Sequence, residues 1–214
     1  SSAASDVYKR QTIYLLLKGI RAKMSFLGKV KKKLRNGSWY PFYNTFYEKN
    51  NLDPHMILLE SRSGKALESN ILSLLKELCQ EPYRSFTLVL SVHRDSENEI
   101  KEKLQKNSIQ GVHFVRTGSV AYYHALSRAG YLVNDTSFPG RFIKKEGQIY
   151  LNTWHGTPLK KMGRDNRPEM VTMGNVQRNL LDSDYLVFPN QFMEEKMSLS
   201  LIHISEPTRR TPIS

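Results

Sequence analysis

Short apolar runs separated by polar turns dominate the chain from residue 55 onward. "HMILLE" (55–60), "FTLVLSV" (86–92), "VHFVR" (112–116), "YLVND" (131–135), "IYLNTW" (149–154) and "YLVFP" (185–189) are short and rich in β-branched or aromatic residues. Each is predicted to be a strand. Between them the period changes. Leu67, Ile71, Leu74, Leu75 and Leu78 fall on one face of a helix, which Pro82 closes. A charged helix is predicted around 96–107, and Ser119 stands where it would cap "SVAYYHALSRAG", with Gly130 as the stop. This alternation predicts an α/β fold over 55–197, a Rossmann-like open parallel sheet with helices on both faces. Ligands in such a fold gather at the carboxyl ends of the strands.

Upstream the pattern is different. Residues 12–35, "TIYLLLKGIRAKMSFLGKVKKKLR", hold eight Lys/Arg and no acid, with apolar residues clustered between the cations. Their longest apolar run is far short of the ~20 residues a spanning helix needs. A basic amphipathic helix suits an anionic membrane surface, and a solvated connecting helix accounts for the same pattern. The aromatic-rich stretch 38–54 reads as a joining segment, so 12–54 is expected to form an arm ahead of the domain.

The net charge of +12 is therefore concentrated in one place. Nucleic acid is not the expected partner, because the arm has few aromatics to stack on bases. One cysteine, Cys79, excludes an internal disulfide framework and any Cys-based zinc cluster. No spacing of ligand residues suggests a metal. "SRSGKALES" lacks the earlier glycine of a P-loop and has Ala66 where Ser or Thr is needed, and no G-x-G-x-x-G occurs. Residues 1–11 and 198–214 resemble translated sequencing-adapter read-through and are expected to be foreign to the domain, His203 with them.

The densest chemistry lies in "NTWHGTPLKKMGRD", residues 152–165. His155 would sit at the carboxyl end of a strand, and Gly156 would allow a tight turn. Thr157 and Pro158 form a helix-start signal, whose free N–H groups and positive dipole make an anion site. Lys160 and Lys161 add full charges one turn in. Positive charge beside an imidazole favours its neutral, proton-accepting form. A base next to an anion cradle fits attack by a hydroxyl on a phosphate ester. The plainer alternative is a histidine that only hydrogen-bonds its turn, with the lysines solvated.

Other candidates are weaker. Gly64 and Lys65 follow the first strand, where their backbone could face the acceptor or form a plain turn. Asp135, next to Asn134 at a strand end, could orient His155, bind a hydroxyl or cap the next segment. Asn152 and Thr153 read as structural, and Arg164 with Asp165 as a loop ion pair. His93 ends a strand and is a candidate for lining the cleft. His113 and His124 read as packing or surface residues.

The motif closely resembles the signature of the CDP-glycerol glycerophosphotransferases, the teichoic acid polymerases and primases of bacterial cell walls. "ILLESRSGKALESN", "VRTGSVAYYHALSRAGYLVND" and "DYLVFPNQFMEE" extend the likeness over about 55–197. The resemblance implies the acceptor-side half of a glycosyltransferase-B-type fold, with His155 as the base that deprotonates an attacking hydroxyl. Gly156, Thr157, Lys160, Lys161, Gly64, Lys65 and Asp135 would then bind substrate, with no cofactor or metal beyond the CDP-activated polyol donor. It also implies a lipid-linked polyol-phosphate acceptor and a peripheral place on the cytoplasmic face of the membrane, held by 12–35. The donor-binding second domain is expected to be missing from this chain, which would leave it without turnover. A non-catalytic module that binds acceptor or membrane remains the second reading.

Overall fold

The computed structural model describes residues 43–156, 173–188 and 190–197. The chain divides into a unit Ser1–Asn44, almost wholly outside those residues, and a unit Thr45–Ser214, which holds every strand of the described residues. The basic arm 12–35 and both terminal stretches lie outside the described residues.

A short helix, α1 (43–49), leads into strand β1 (Asp53–Glu60). There follow α2 (Ser69–Leu78), β2 (Thr87–Val92), α3 (Glu97–Lys106), β3 (Val112–Arg116), α4 (Val120–Arg128) and β4 (Ala129–Asn134). Strand β5 (Ile149–Asn152), α5 (Gly174–Asp182), β6 (Tyr185–Leu186) and α6 (Gln191–Met197) complete the described part. The strands pair in parallel as one six-stranded sheet in the order β3-β2-β1-β4-β5-β6.

Alternation within each strand explains why helices cover both faces. Ile57 and Leu59 of β1, Leu88, Leu90 and Val92 of β2, and Val133 of β4 share a core with Ile71 and Leu75 of α2 and Ile100 and Leu104 of α3. Residues one step out of phase point to the opposite face. There Leu58, Leu132 and Tyr150 are buried, with Tyr122, Ala125 and Leu126 of α4 and with Phe138 and Phe142. Fully burying each Leu or Phe side chain stabilises the fold by about 1.5–3 kcal/mol.

Two expectations need correction. Helix α4 is capped by Ser119, whose hydroxyl accepts the Tyr122 N–H at 3.2 Å. It does not stop at Gly130, however. The helix ends at Arg128 and passes directly into β4, and Gly130 lies inside that strand. A Cβ at Gly130 would come within 2.8 Å of the Asp53 carbonyl oxygen, so its glycine serves close strand approach rather than a helix cap. Strand β5 also ends early, at Asn152, because Trp154 adopts a left-handed φ of 50°.

The strand order fixes where a ligand site belongs. The chain runs outward from β1 through β2 to β3, then returns to place β4 on the other side of β1. That reversal opens a crevice at the carboxyl ends of β1 and β4.

Candidate active site

The residues at this crevice are Glu60, Ser61 and Arg62 after β1, and Asn134 and Asp135 after β4. Trp154 and His155 follow β5, beside β4. One residue ties the three strand ends together. The Asp135 carboxylate accepts the Ser61 hydroxyl at 2.7 Å through Oδ2 and the Arg62 main-chain N–H at 2.7 Å through Oδ1. Its own carbonyl oxygen pairs with His155 Nδ1. Asp135 thus contacts His155 through its main chain, and its buried carboxylate is occupied by the turn after β1.

That contact decides what the histidine can do. A carbonyl oxygen only accepts, so Nδ1 must carry the proton, and in the neutral ring Nε2 is then the proton acceptor. The half-buried ring also stacks on the buried Trp154 indole, with centroids 4.9 Å apart and planes inclined by 25°. Trp154 is itself held: its main-chain N–H donates to Asn152 Oδ1 at 2.9 Å, and it belongs to an apolar cluster with Met173, Leu180, Met193 and Met197. A bulky residue in the left-handed region is strained. Here the strain turns the chain out of β5 so that His155 is delivered to the rim.

The floor of the crevice is a buried polar row. Ser91, Glu60, Asn134 and Asn152 are register neighbours on β2, β1, β4 and β5, so their side chains share one face. All four are buried. Asn152 Nδ2 donates to the Thr136 carbonyl at 3.0 Å and to the Tyr150 hydroxyl at 3.2 Å. Asn134 Nδ2 reaches Glu60 Oε1 at 3.4 Å. Burial, with the Asp135 charge nearby, pushes the Glu60 carboxyl up to about 7. Ser91 and Tyr122 approach it closely enough to oppose that rise, yet Oε2 makes no hydrogen bond of normal geometry. Burial and the Glu60 charge also hold the Tyr122 hydroxyl well above its usual range.

The turn after β1 is unusual. Arg62, Ser63 and Gly64 have φ of 49°, 54° and 76°, three left-handed residues in succession. The first two cost about 1–2 kcal/mol each. Gly64 is buried: its carbonyl accepts the His93 N–H at 2.6 Å, and a Cβ would lie 2.2 Å from Thr117 Oγ1. Gly64 therefore shapes the turn by packing on the ends of β2 and β3, whereas Lys65 is exposed. Gly156 has a φ of 71°, a left-handed conformation that glycine adopts freely. Thr157, Lys160, Lys161, Arg164 and Asp165 lie outside the described residues.

The side chains of His93, His113 and His124 make their contacts elsewhere. His93 caps a short 3₁₀ turn and pairs with Asp95 at 3.5 Å. His113 is exposed on β3, and His124 packs edge-on against Phe46 with centroids 5.3 Å apart. Cys79 is a free, partly buried thiol. Among the described residues no three His, Cys, Asp or Glu side chains gather as a metal-binding group would. Sequence reading missed Glu60, Ser61, Arg62 and Trp154. Its one available signal was a glutamate closing an otherwise apolar strand.

Residues 42–204 match the family model described as CDP-glycerol:poly(glycerophosphate) glycerophosphotransferase. The chain belongs to this glycerophosphotransferase family. It is 30% identical over 160 residues to a teichoic acid poly(glycerol phosphate) polymerase of Staphylococcus epidermidis, covering 72% of this chain and 21% of that protein. It is 27% identical over 172 residues to a teichoic acid glycerol-phosphate transferase of Staphylococcus aureus, covering 76% and 42%. The solved wall teichoic acid polymerase TagF shares the fold, with TM-score 0.63 and 24% identity over 85% of this chain and 44% of that one. This member of the glycerophosphotransferase family thus spans less than half the length of these relatives.

Proposed function

We propose that this chain carries the acceptor side of a glycerophosphotransferase site, with His155 as general base. The observation that carries the reading is the bond of His155 Nδ1 to the Asp135 carbonyl. It leaves Nε2 as the proton acceptor at the carboxyl edge of the sheet. In the reaction, Nε2 removes the proton from a terminal hydroxyl of a polyol-phosphate acceptor. The oxygen attacks the polyol-bearing phosphorus of a CDP-activated donor such as CDP-glycerol. An O–P bond forms, the bond to the CMP phosphate oxygen breaks, and CMP leaves. Positioning and charge stabilisation do most of the work in such phosphoryl chemistry. No cofactor or metal enters the scheme. The donor is held by a second domain outside the 214 residues.

The test is CMP release from CDP-glycerol in the presence of a lipid-linked glycerol-phosphate acceptor. We expect none from the 214-residue chain alone, and turnover when the chain is joined to the downstream remainder of its reading frame. Turnover by the short chain, lost on His155→Ala, would disprove the division of labour. An extended chain that binds acceptor without releasing CMP would favour the binding-module reading.

Residues 12–35 supply the membrane contact in this proposal, on the cytoplasmic face where the acceptor is embedded. Each cation near an anionic surface contributes about 1 kcal/mol, so eight hold the protein reversibly. The chain is expected to float with liposomes containing anionic lipid and to be released by high salt. Flotation unchanged after residues 12–35 are deleted would remove this role from the arm. Among the described residues no helix is long and apolar enough to cross a membrane.

A further inference from the structure

We propose that the left-handed turn Arg62–Gly64 is a phosphate-binding lip, with the Arg62 guanidinium holding the acceptor phosphodiester next to the attacking hydroxyl. The inference rests on the acceptor-side reading above and adds a residue that the motif does not contain.

Three observations lead to it. Arg62 is an exposed cation on a backbone conformation that glycine would adopt without cost. Such strain persists only where surrounding structure enforces it, and here both ends of the turn are clamped. The buried Asp135 carboxylate grips the Ser61 hydroxyl and the Arg62 N–H, and Gly64 is locked against His93 and Thr117. Strained, over-determined residues cluster at ligand sites.

The second observation is placement. Arg62 and His155 are held by the same residue, one through the Asp135 carboxylate and the other through its carbonyl. The turn and the imidazole thus belong to one cluster of strand ends, across which a substrate whose hydroxyl meets Nε2 would extend. In a polyol-phosphate polymer the charged group nearest the terminal hydroxyl is a phosphodiester.

The third is availability. The guanidinium's ion pair with Glu68 spans 3.8 Å, with the two side chains 43% and 50% exposed. A pair that long and that wet does not compete with an anion. Arginine's planar fork matches two phosphate oxygens at once, and the exposed Ser63 and Lys65 flank it.

The experiment is an NMR titration of the 214-residue chain with glycerophosphoglycerol, with glycerol and inorganic phosphate as controls. Saturable shifts are expected at the Arg62 Nε–H and the His155 ring with glycerophosphoglycerol, and none with glycerol. Arg62→Gly is expected to weaken binding about tenfold, the loss of one charge-assisted contact, while Tm stays level or rises. Arg62→Lys should retain part of the affinity. Undiminished binding by Arg62→Gly would overturn the proposal, as would a fall in its Tm, which would make the side chain structural. Inorganic phosphate binding as tightly as the diester would remove the acceptor from it. The transferase reading fails separately: the lip would stand if Arg62→Gly lost the diester while the extended chain released no CMP.

Discussion

His155→Asn in the chain extended through its downstream part is expected to lower the rate of CMP release by about 10²–10⁴-fold, the usual contribution of a positioned base. Asparagine has nearly the reach of the imidazole and can still donate to the Asp135 carbonyl, so the turn should hold. What it lacks is a nitrogen that accepts a proton near neutral pH. Acceptor affinity should change little, because the base acts in the transition state. A rise in KM with kcat preserved would show that His155 binds rather than catalyses. A second variant separates the ring from its holder. Trp154→Ala removes the stacking partner and leaves Nδ1 facing Asp135. Direct readout of the imidazole nitrogens should then show a mobile ring whose Nδ1 proton is less strictly retained. An unchanged tautomer would mean that the carbonyl contact alone positions the base.

The parallel sheet was legible in the sequence because buried strands leave apolar runs. The helix starts were legible where a cap such as Ser119 makes a local hydrogen bond. Strand order was not, since periodicity says that β1 and β4 exist but not that they are neighbours. Gly130 shows the same limit. Its meaning depends on the Asp53 carbonyl, which lies 77 residues earlier and reaches it only once the sheet is formed. His155 itself was readable from one contiguous motif, yet its support was not. Ser61, Arg62 and Asp135 meet through hydrogen bonds between residues 73 or 74 positions apart. Nothing in a single strand's pattern announces that a carboxylate will spend both oxygens on another strand's exit turn. Asp135 was singled out for its place at a strand end, and the structure supplied a different means of orienting His155.

Glu60 should make the domain less stable as pH rises from about 4.5 to 7. Its carboxyl is raised from 4.5 to about 7, chiefly by complete burial. The folded state therefore holds a proton that the unfolded state has released between those values. Stability from this group is fully present below about 4.5 and is lost as pH climbs through 7, above which both states are ionised and the slope vanishes. The width of the window corresponds to about 3 kcal/mol. Urea unfolding at a series of pH values measures it. Glu60→Gln keeps the shape and the hydrogen-bonding capacity toward Asn134 but cannot ionise, so it should remove this component and leave the variant the more stable of the two at pH 8. Other carboxylates give the opposite slope, which is why the difference between wild type and variant is the quantity to follow. Parallel pH curves would mean that Ser91 and Tyr122 solvate the ionised carboxylate after all. The consequence for the site is geometric. Glu60 immediately precedes Ser61 and Arg62 and contacts Asn134, which precedes Asp135, so a charge forced into this row would act on both strand ends that hold His155.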